Sequence, residues 1–292
     1  MITSVAPDVG TGAGADLPLE ERYLELVKAC LTRMAFAHPE MQPVPCRSGW
    51  RGVFDRIARA WMDPDPPARL AHLVPFDPAR RGEGMDWPAD AETMIGMRRL
   101  DNLHWCIRDV IRRRIPGDLI ETGVWRGGST IFMRAALQAY GDTERCVWVA
   151  DSFQGLPKPD EASYPADRGD RFWTYPELAV SLEAVKKNFA KYGLLDDRVK
   201  FLEGWFKDTL PTAPITRLAV LRLDGDMYES TIQALDSLYP RLSPGGYVIV
   251  DDYGAVEGCR LAVGDYRRTH GIASPIREID FTGVFWEKET GQ

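Results

Sequence analysis

The sequence predicts an α/β fold: a mostly parallel seven-stranded sheet covered by helices on both faces, with an antiparallel edge pair and a helical N-terminal appendage. Three observations carry this. From residue 118 onward, short apolar runs alternate with amphipathic stretches of helical period. All but the last run end in or run into Gly or Asp, the punctuation of strand-to-helix turns. The last two runs are separated only by Phe281-Thr282, too short for a crossover, so they pair antiparallel.

Residues 1–18 are Gly/Ala-rich and acidic, with neither a basic start nor an apolar core, and read as a disordered N-terminus rather than a signal peptide. Residues 19–34 place Tyr23, Leu24, Leu26, Val27, Cys30, Leu31 and Met34 at helical spacing. Pro39, Pro43 and Pro45 interrupt; 52–62 is a second short helix, and 63–88, rich in Pro, Arg and Asp, is a long loop or partly ordered linker. A helix over 93–114 stops at Ile115-Pro116-Gly117. The region 19–114 is thus helical with a Pro-rich linker, and 115–292 is one α/β domain. Within it, strands fall at 118–123, 146–150, 199–203, 218–223, 246–250, 276–280 and 283–287, with helices at 129–140, 178–192, 231–242 and 256–269. Trp50 and Trp61 read as core or inter-subunit anchors, and apolar stripes on the N-terminal helices suggest a homo-oligomer, a dimer or larger.

Composition narrows the class. With 45% hydrophobic and 27% charged residues, the chain has the make-up of a soluble enzyme. A formal charge of −7 removes the basic footprint expected of a nucleic-acid binder, and no apolar run is long enough for a membrane helix. Five scattered cysteines without CxxC spacing fit a reducing cytoplasm.

Two sets of residues carry chemistry. The first is the loop Glu121 to Thr130 after the first strand, with glycines at 123, 127 and 128, and Asp151 closing the second strand. Glycines let backbone approach a ligand, and an acid at that strand end can accept both hydroxyls of a ribose. The spacing is not that of a dinucleotide cradle, so S-adenosylmethionine fits better, with Glu121 facing its ammonium. The second set is Asp224, Asp226, Asp251 and Asp252, two acidic pairs ending neighbouring strands. Carboxylates gathered this way repel unless protons or a cation offset them, and hard oxygen donors select Mg²⁺. Such a cation can chelate vicinal hydroxyls while a spare carboxylate removes a proton, which is the chemistry of methyl transfer to a hydroxyl.

With those residues in view, the chain resembles the macrocin O-methyltransferase family, metal-dependent enzymes that methylate deoxysugar hydroxyls of natural products. The resemblance rests on DLIETGVWRGG at 118–128, WVADSFQGLP at 148–157, GWFKDTLP at 204–211, LRLDGDMYEST at 221–231 and PGGYVIVDDYG at 244–254. It extends upstream through DWP at 86–88 and TMIGMRRLDNL at 93–103. It implies a Rossmann-like methyltransferase fold using S-adenosylmethionine and Mg²⁺ on a small-molecule glycoside. Asp224, Asp251 and Asp252 match its metal ligands and Asp226 its general base. Glu121, Ser129 and Asp151 match cofactor contacts, and the same blocks bring Gly123, Ser152 and Asp224 to the cofactor. Thr93 and Met97 would lie over it from the preceding helix, and Gly204-Trp205 would take the adenine. A lid is implied at 158–175, where Tyr164, Phe172 and Trp173 offer faces for a sugar or aglycone.

Other residues are bland. His104 reads as a packed helix residue, Tyr228 and Tyr253 as packing or metal-shell partners, and Arg80-Arg81 and Arg112 to Arg114 as solvated basic runs. Two rival functions share the same features: a catechol or phenolic diol acceptor, and a non-catalytic nucleoside-binding scaffold.

Overall fold

The computed structural model describes residues 17–36, 39–43 and 71–289. The helix expected at 52–62, Trp50, Trp61 and the first sixteen residues lie outside that set. In chain order the elements are α1 (Leu19–Leu31), β1 (Glu40–Pro43), β2 (Ala71–Val74), α2 (Pro78–Gly82), α3 (Gly96–Arg112), β3 (Asp118–Thr122) and α4 (Gly128–Ala139). Then come β4 (Val147–Asp151), α5 (Leu182–Lys191), β5 (Val199–Glu203), α6 (Phe206–Thr209) and β6 (Leu218–Leu223). The chain closes with α7 (Tyr228–Leu238), β7 (Leu242–Val250), α8 (Glu257–Thr269), β8 (Arg277–Glu278) and β9 (Val284–Glu287).

The main sheet has seven strands in the order β5-β4-β3-β6-β7-β9-β8. Strands β3 to β7 run parallel, and β9 pairs antiparallel with β7 and with β8. Alternate strand residues feed opposite faces. Leu119, Val220 and Ile249 join the core under α1, α3, α4 and α5, while Ile120, Leu221 and Val248 join the core under α7 and α8. The chain winds outward from β3 to β5, then crosses back to β6 on the other side of β3. The β3/β6 boundary is therefore the switch point beyond whose carboxyl ends ligands bind.

Helix α1 belongs to this packing, because Leu24, Val27 and Leu31 are fully or almost fully buried against α3 and α4. The described part of the expected linker is more ordered than its composition suggested. Strand β2 pairs antiparallel with β1, and Asp77 caps α2 by accepting from the amides of Ala79 and Arg80. Arg81 departs from the solvated reading: it is 1% exposed, paired with Asp86 at 2.8 Å and donating to the Thr32 carbonyl. Arg113, by contrast, holds Asp109 and Glu287 near the surface, in keeping with the bland reading. Two helices start later than periodicity implies. The Ser181 side chain accepts from Ala184 and so begins α5 at Leu182, while α3 begins at Gly96, whose φ of +73° favours glycine.

Candidate active site

Register gathers the acids. Leu223 pairs with Val250, so the residues that follow, Asp224 and Asp251, emerge side by side at one sheet edge. Asp224, Asp251 and Asp252 each present a carboxylate oxygen within 4.8 Å of the others. Asp226 stands beside them, its backbone amide donating to Asp252 Oδ2 at 3.3 Å. It holds φ +57°, a left-handed conformation costly for a residue with a Cβ. Burial raises the Asp226 carboxyl to about 8, and the charges of Asp224, Asp251 and Asp170 push the same way. Asp252 is held well above the carboxylate range, first by burial and then by Asp226 and its other acidic neighbours.

Two arginines that sequence reasoning missed sit under this cluster. Arg222 is fully buried in β6 and donates to Asp251, to Asp224 at 2.6 Å and to Glu121 at 2.5 Å. Arg99, on α3, takes the other oxygen of Asp251 and pairs with Asp280 at 2.9 Å. The carboxylates are thus offset in part by fixed cations. A lone Arg inside the apolar strand Leu218–Leu223 was a readable signal of a buried ion pair. Arg99, next to the exposed Arg98, gave no such signal.

The glycine loop is built for close approach. Gly123 sits at φ +84°, where a Cβ would fall 1.8 Å from the Asp224 carbonyl oxygen. A Cβ on Gly128 would meet Thr93 at 2.5 Å, so the segment before α3 lies directly on the loop. Asp151 accepts from the amides of Val124 at 2.8 Å and Phe153 at 2.7 Å, and so anchors the loop as well as facing the cavity. Ser152 Oγ donates to the Gly155 carbonyl at 2.6 Å. Glu121 is 1% exposed, and burial pushes its carboxyl up to about 8 against the lowering effect of Arg222. Its Oε2 is buried with no hydrogen-bond partner of ordinary geometry, although Ser129 lies near enough to lower the pKa. A buried oxygen left open in this way suits an ammonium donor.

A cavity of about 520 Å³ joins these parts. Its walls include Thr93, Glu121, Gly123, Ser129, Asp151, Ser152, Gly204, Trp205, Asp224, Asp226, Asp251 and Asp252. Met97 stands apart: Thr32 Oγ1 approaches its sulfur at 3.7 Å, and Met94 reaches the wall instead. Met94 lies in the irregular segment before α3 and Met97 in the helix's first turn, so their side chains meet different neighbours. Of the 158–175 segment only Lys158 reaches the wall; Tyr164, Phe172 and Trp173 do not. Tyr164 packs on Tyr228, and Phe172 on Tyr175. Tyr228 donates to Asp265, Tyr253 packs against the core, and neither lines the cavity. His104 is buried against Tyr140 and Glu21, remote from it.

The profile of the family described as Macrocin-O-methyltransferase (TylF) matches residues 20–288. The chain belongs to the macrocin O-methyltransferase family. Membership makes it an S-adenosylmethionine-dependent O-methyltransferase with a Rossmann-like fold. It is 53% identical over 265 residues to the 8-demethyl-8-(2,3-dimethoxy-alpha-L-rhamnosyl)-tetracenomycin-C 4'-O-methyltransferase of Streptomyces olivaceus, covering 90% of this chain and 91% of that protein. It is 51% identical over 231 residues to the mycinamicin III 3''-O-methyltransferase of Micromonospora griseorubida, covering 78% and 91%. Among solved structures, the O-methyltransferase NovP is similar with a TM-score of 0.79 at 45% identity, covering 92% of this macrocin O-methyltransferase homologue and 99% of NovP. Among the described residues, no helix is long and apolar enough to cross a membrane.

Proposed function

We propose that this enzyme transfers the methyl group of S-adenosylmethionine to a hydroxyl of a deoxysugar on a glycosylated natural product, with Mg²⁺ held by Asp224, Asp251 and Asp252. The observation that carries the reading is the triad of carboxylate oxygens within 4.8 Å, beside Asp226 in one cavity with the glycine loop. An all-oxygen donor set suits a hard divalent cation, which supplies Lewis acidity that lowers the pKa of a coordinated hydroxyl.

The chain's own residues do the rest. Asp226, on the cavity wall, takes the proton from the acceptor oxygen, and its raised pKa makes it a stronger base once it is ionised. Glu121, with its open Oε2, receives the cofactor's ammonium, and Ser129 lies alongside. Asp151 and Ser152 serve the ribose, Gly204 and Trp205 the adenine, and Thr93 and Gly123 close the methionine end. Arg222, beneath the cavity, and Arg99, on its wall, hold the acids in place. Most of the rate then comes from orienting oxygen, methyl and sulfur in line. The four cysteines among the described residues are free, which supports a cytoplasmic setting.

The relatives named above act at 4' and 3'' positions, so the hydroxyl methylated is set by features that vary within the family. The test is a panel of deoxysugar glycosides and catechols assayed by mass spectrometry with purified enzyme and S-adenosylmethionine. Methylation of glycosides with the higher kcat/KM is expected. Preference for the catechols would overturn the sugar assignment.

A further inference from the structure

Helix α7 follows directly on Asp226, and its own N-cap, Met227, offers no side-chain acceptor. The first amides of the helix are satisfied from elsewhere. Asp167, on the long connection between β4 and α5, accepts from the Tyr228 amide at 2.7 Å and from the Glu229 amide at 2.9 Å. It reaches them across 61 residues of chain and is only 3% exposed. A carboxylate over two open amides at a helix start is both a cap and a favourable charge against the helix dipole.

The approach is tight. A Cβ on Gly258, in the first turn of α8, would fall 2.8 Å from Asp167 Oδ1 and 3.0 Å from the Tyr228 nitrogen. Glycine is therefore needed there although it weakens a helix. Tyr164 adds a ring contact to Tyr228 at 6.1 Å between centroids, so the segment grips α7 at two points. Between this cap and the sheet lie only Asp224-Gly225-Asp226-Met227, a turn closed by the Met227 amide on the Gly225 carbonyl at 2.6 Å. Asp226 keeps its left-handed backbone within that short span, and a conformation of this kind persists only when its surroundings over-determine it.

We propose that Asp167 is a positioning residue for Asp226: by capping α7 from the β4–α5 connection it fixes the turn that aims the Asp226 carboxylate into the cavity. The β4–α5 connection and the turn that carries the base are then held together through one side chain. The inference rests on Asp226 as the base, and its test separates the two.

The experiment uses the full-length enzyme with Asp167→Ala, Asp167→Asn and Gly258→Ala. Hydrogen exchange of the Tyr228 and Glu229 amides is read in the ligand-free protein, and kcat, KM for a glycoside acceptor and S-adenosylmethionine affinity are read by kinetics and calorimetry. In Asp167→Ala and Gly258→Ala, those amides should exchange roughly tenfold faster and kcat should fall roughly tenfold. KM and cofactor affinity should change less than about twofold, and Asp167→Asn, which keeps only one of the two acceptor oxygens, should fall between Asp167→Ala and the parent in both exchange and kcat. Unchanged exchange in Asp167→Ala, or faster exchange with undiminished kcat, would overturn the proposal. Undiminished turnover in Asp226→Asn would instead strike the base assignment itself.

Discussion

Arg222, buried in β6, donates to Asp251 at the end of β7, and the same guanidinium holds Asp224 and Glu121. One side chain thereby links a strand end assigned to the metal with one assigned to the cofactor. Desolvation opposes a charge at this depth, and the three carboxylates more than offset it, so Arg222 stays protonated. Replacing it with Met leaves three acids facing each other in a buried setting. Arg222→Met should lower unfolding stability by about 3–5 kcal/mol, as removal of one partner of a buried pair does. Urea denaturation checks this; an unchanged midpoint with an unchanged slope would contradict it.

The proton on Asp226 gives a second prediction. Burial and the charges of Asp224, Asp251 and Asp170 hold its carboxyl at about 8, so the metal-free chain carries a proton there at pH 7. A divalent cation offsets the acidic neighbours of Asp226 and takes the ionised form of Asp252, whose carboxyl is also raised, so Mg²⁺ binding should release roughly one to two protons per ion, part of them from Asp226. Calorimetry in buffers of different ionisation enthalpy reads that number. Asp226→Asn should bind Mg²⁺ with a clearly smaller release, and equal release would mean that the proton leaves another group.

His104 makes a third, remote from catalysis. Burial, with Lys28 next, lowers its pKa from 6.5 to about 4. Its Nε2 lies 2.6 Å from the Tyr140 hydroxyl, which donates to Glu21. The folded state keeps this histidine neutral, whereas the unfolded chain protonates it below 6.5. The stabilisation is complete above pH 6.5 and drains away as pH falls toward 4, by at most roughly 3 kcal/mol. His104→Gln should flatten that part of the curve in thermal unfolding followed from pH 7 to 4. A slope equal to the parent's would contradict the assignment.

Gly123 supplies a fourth. A methyl group there would lie 1.8 Å from the Asp224 carbonyl oxygen, at a φ of +84°. Gly123→Ala should push β3 away from the end of β6 and weaken S-adenosylmethionine binding by at least roughly tenfold. Parent-like affinity in calorimetry would show that the loop yields more easily than its packing implies.

The sheet and the acid cluster were legible because period and punctuation are local. Strand length, apolar content and an Asp or Gly at each strand end mark Leu218–Leu223 and its neighbours without knowledge of their partners. What escaped was non-local. Arg99 meets Asp251 across 152 residues, and its sequence neighbourhood is that of an exposed basic run. The offset of Met94 against Met97 turns on where α3 begins, which Gly96 decides through its backbone and not through any apolar pattern. The cap on α7 escaped for the same reason, as Asp167 lies in a segment with no periodicity. The β1–β2 pair was hidden by the prolines around it, since pairing there depends on a strand 28 or more residues away.

Metal-dependent methyl transfer at the Asp224, Asp251 and Asp252 cluster is tested most directly by turnover of a glycoside acceptor after exhaustive chelation, with and without added Mg²⁺. The expected result is loss of product on chelation, recovery on adding Mg²⁺, and no recovery in Asp252→Asn. Full turnover in the chelated enzyme, or in Asp252→Asn without metal, would contradict the proposed role of the carboxylates.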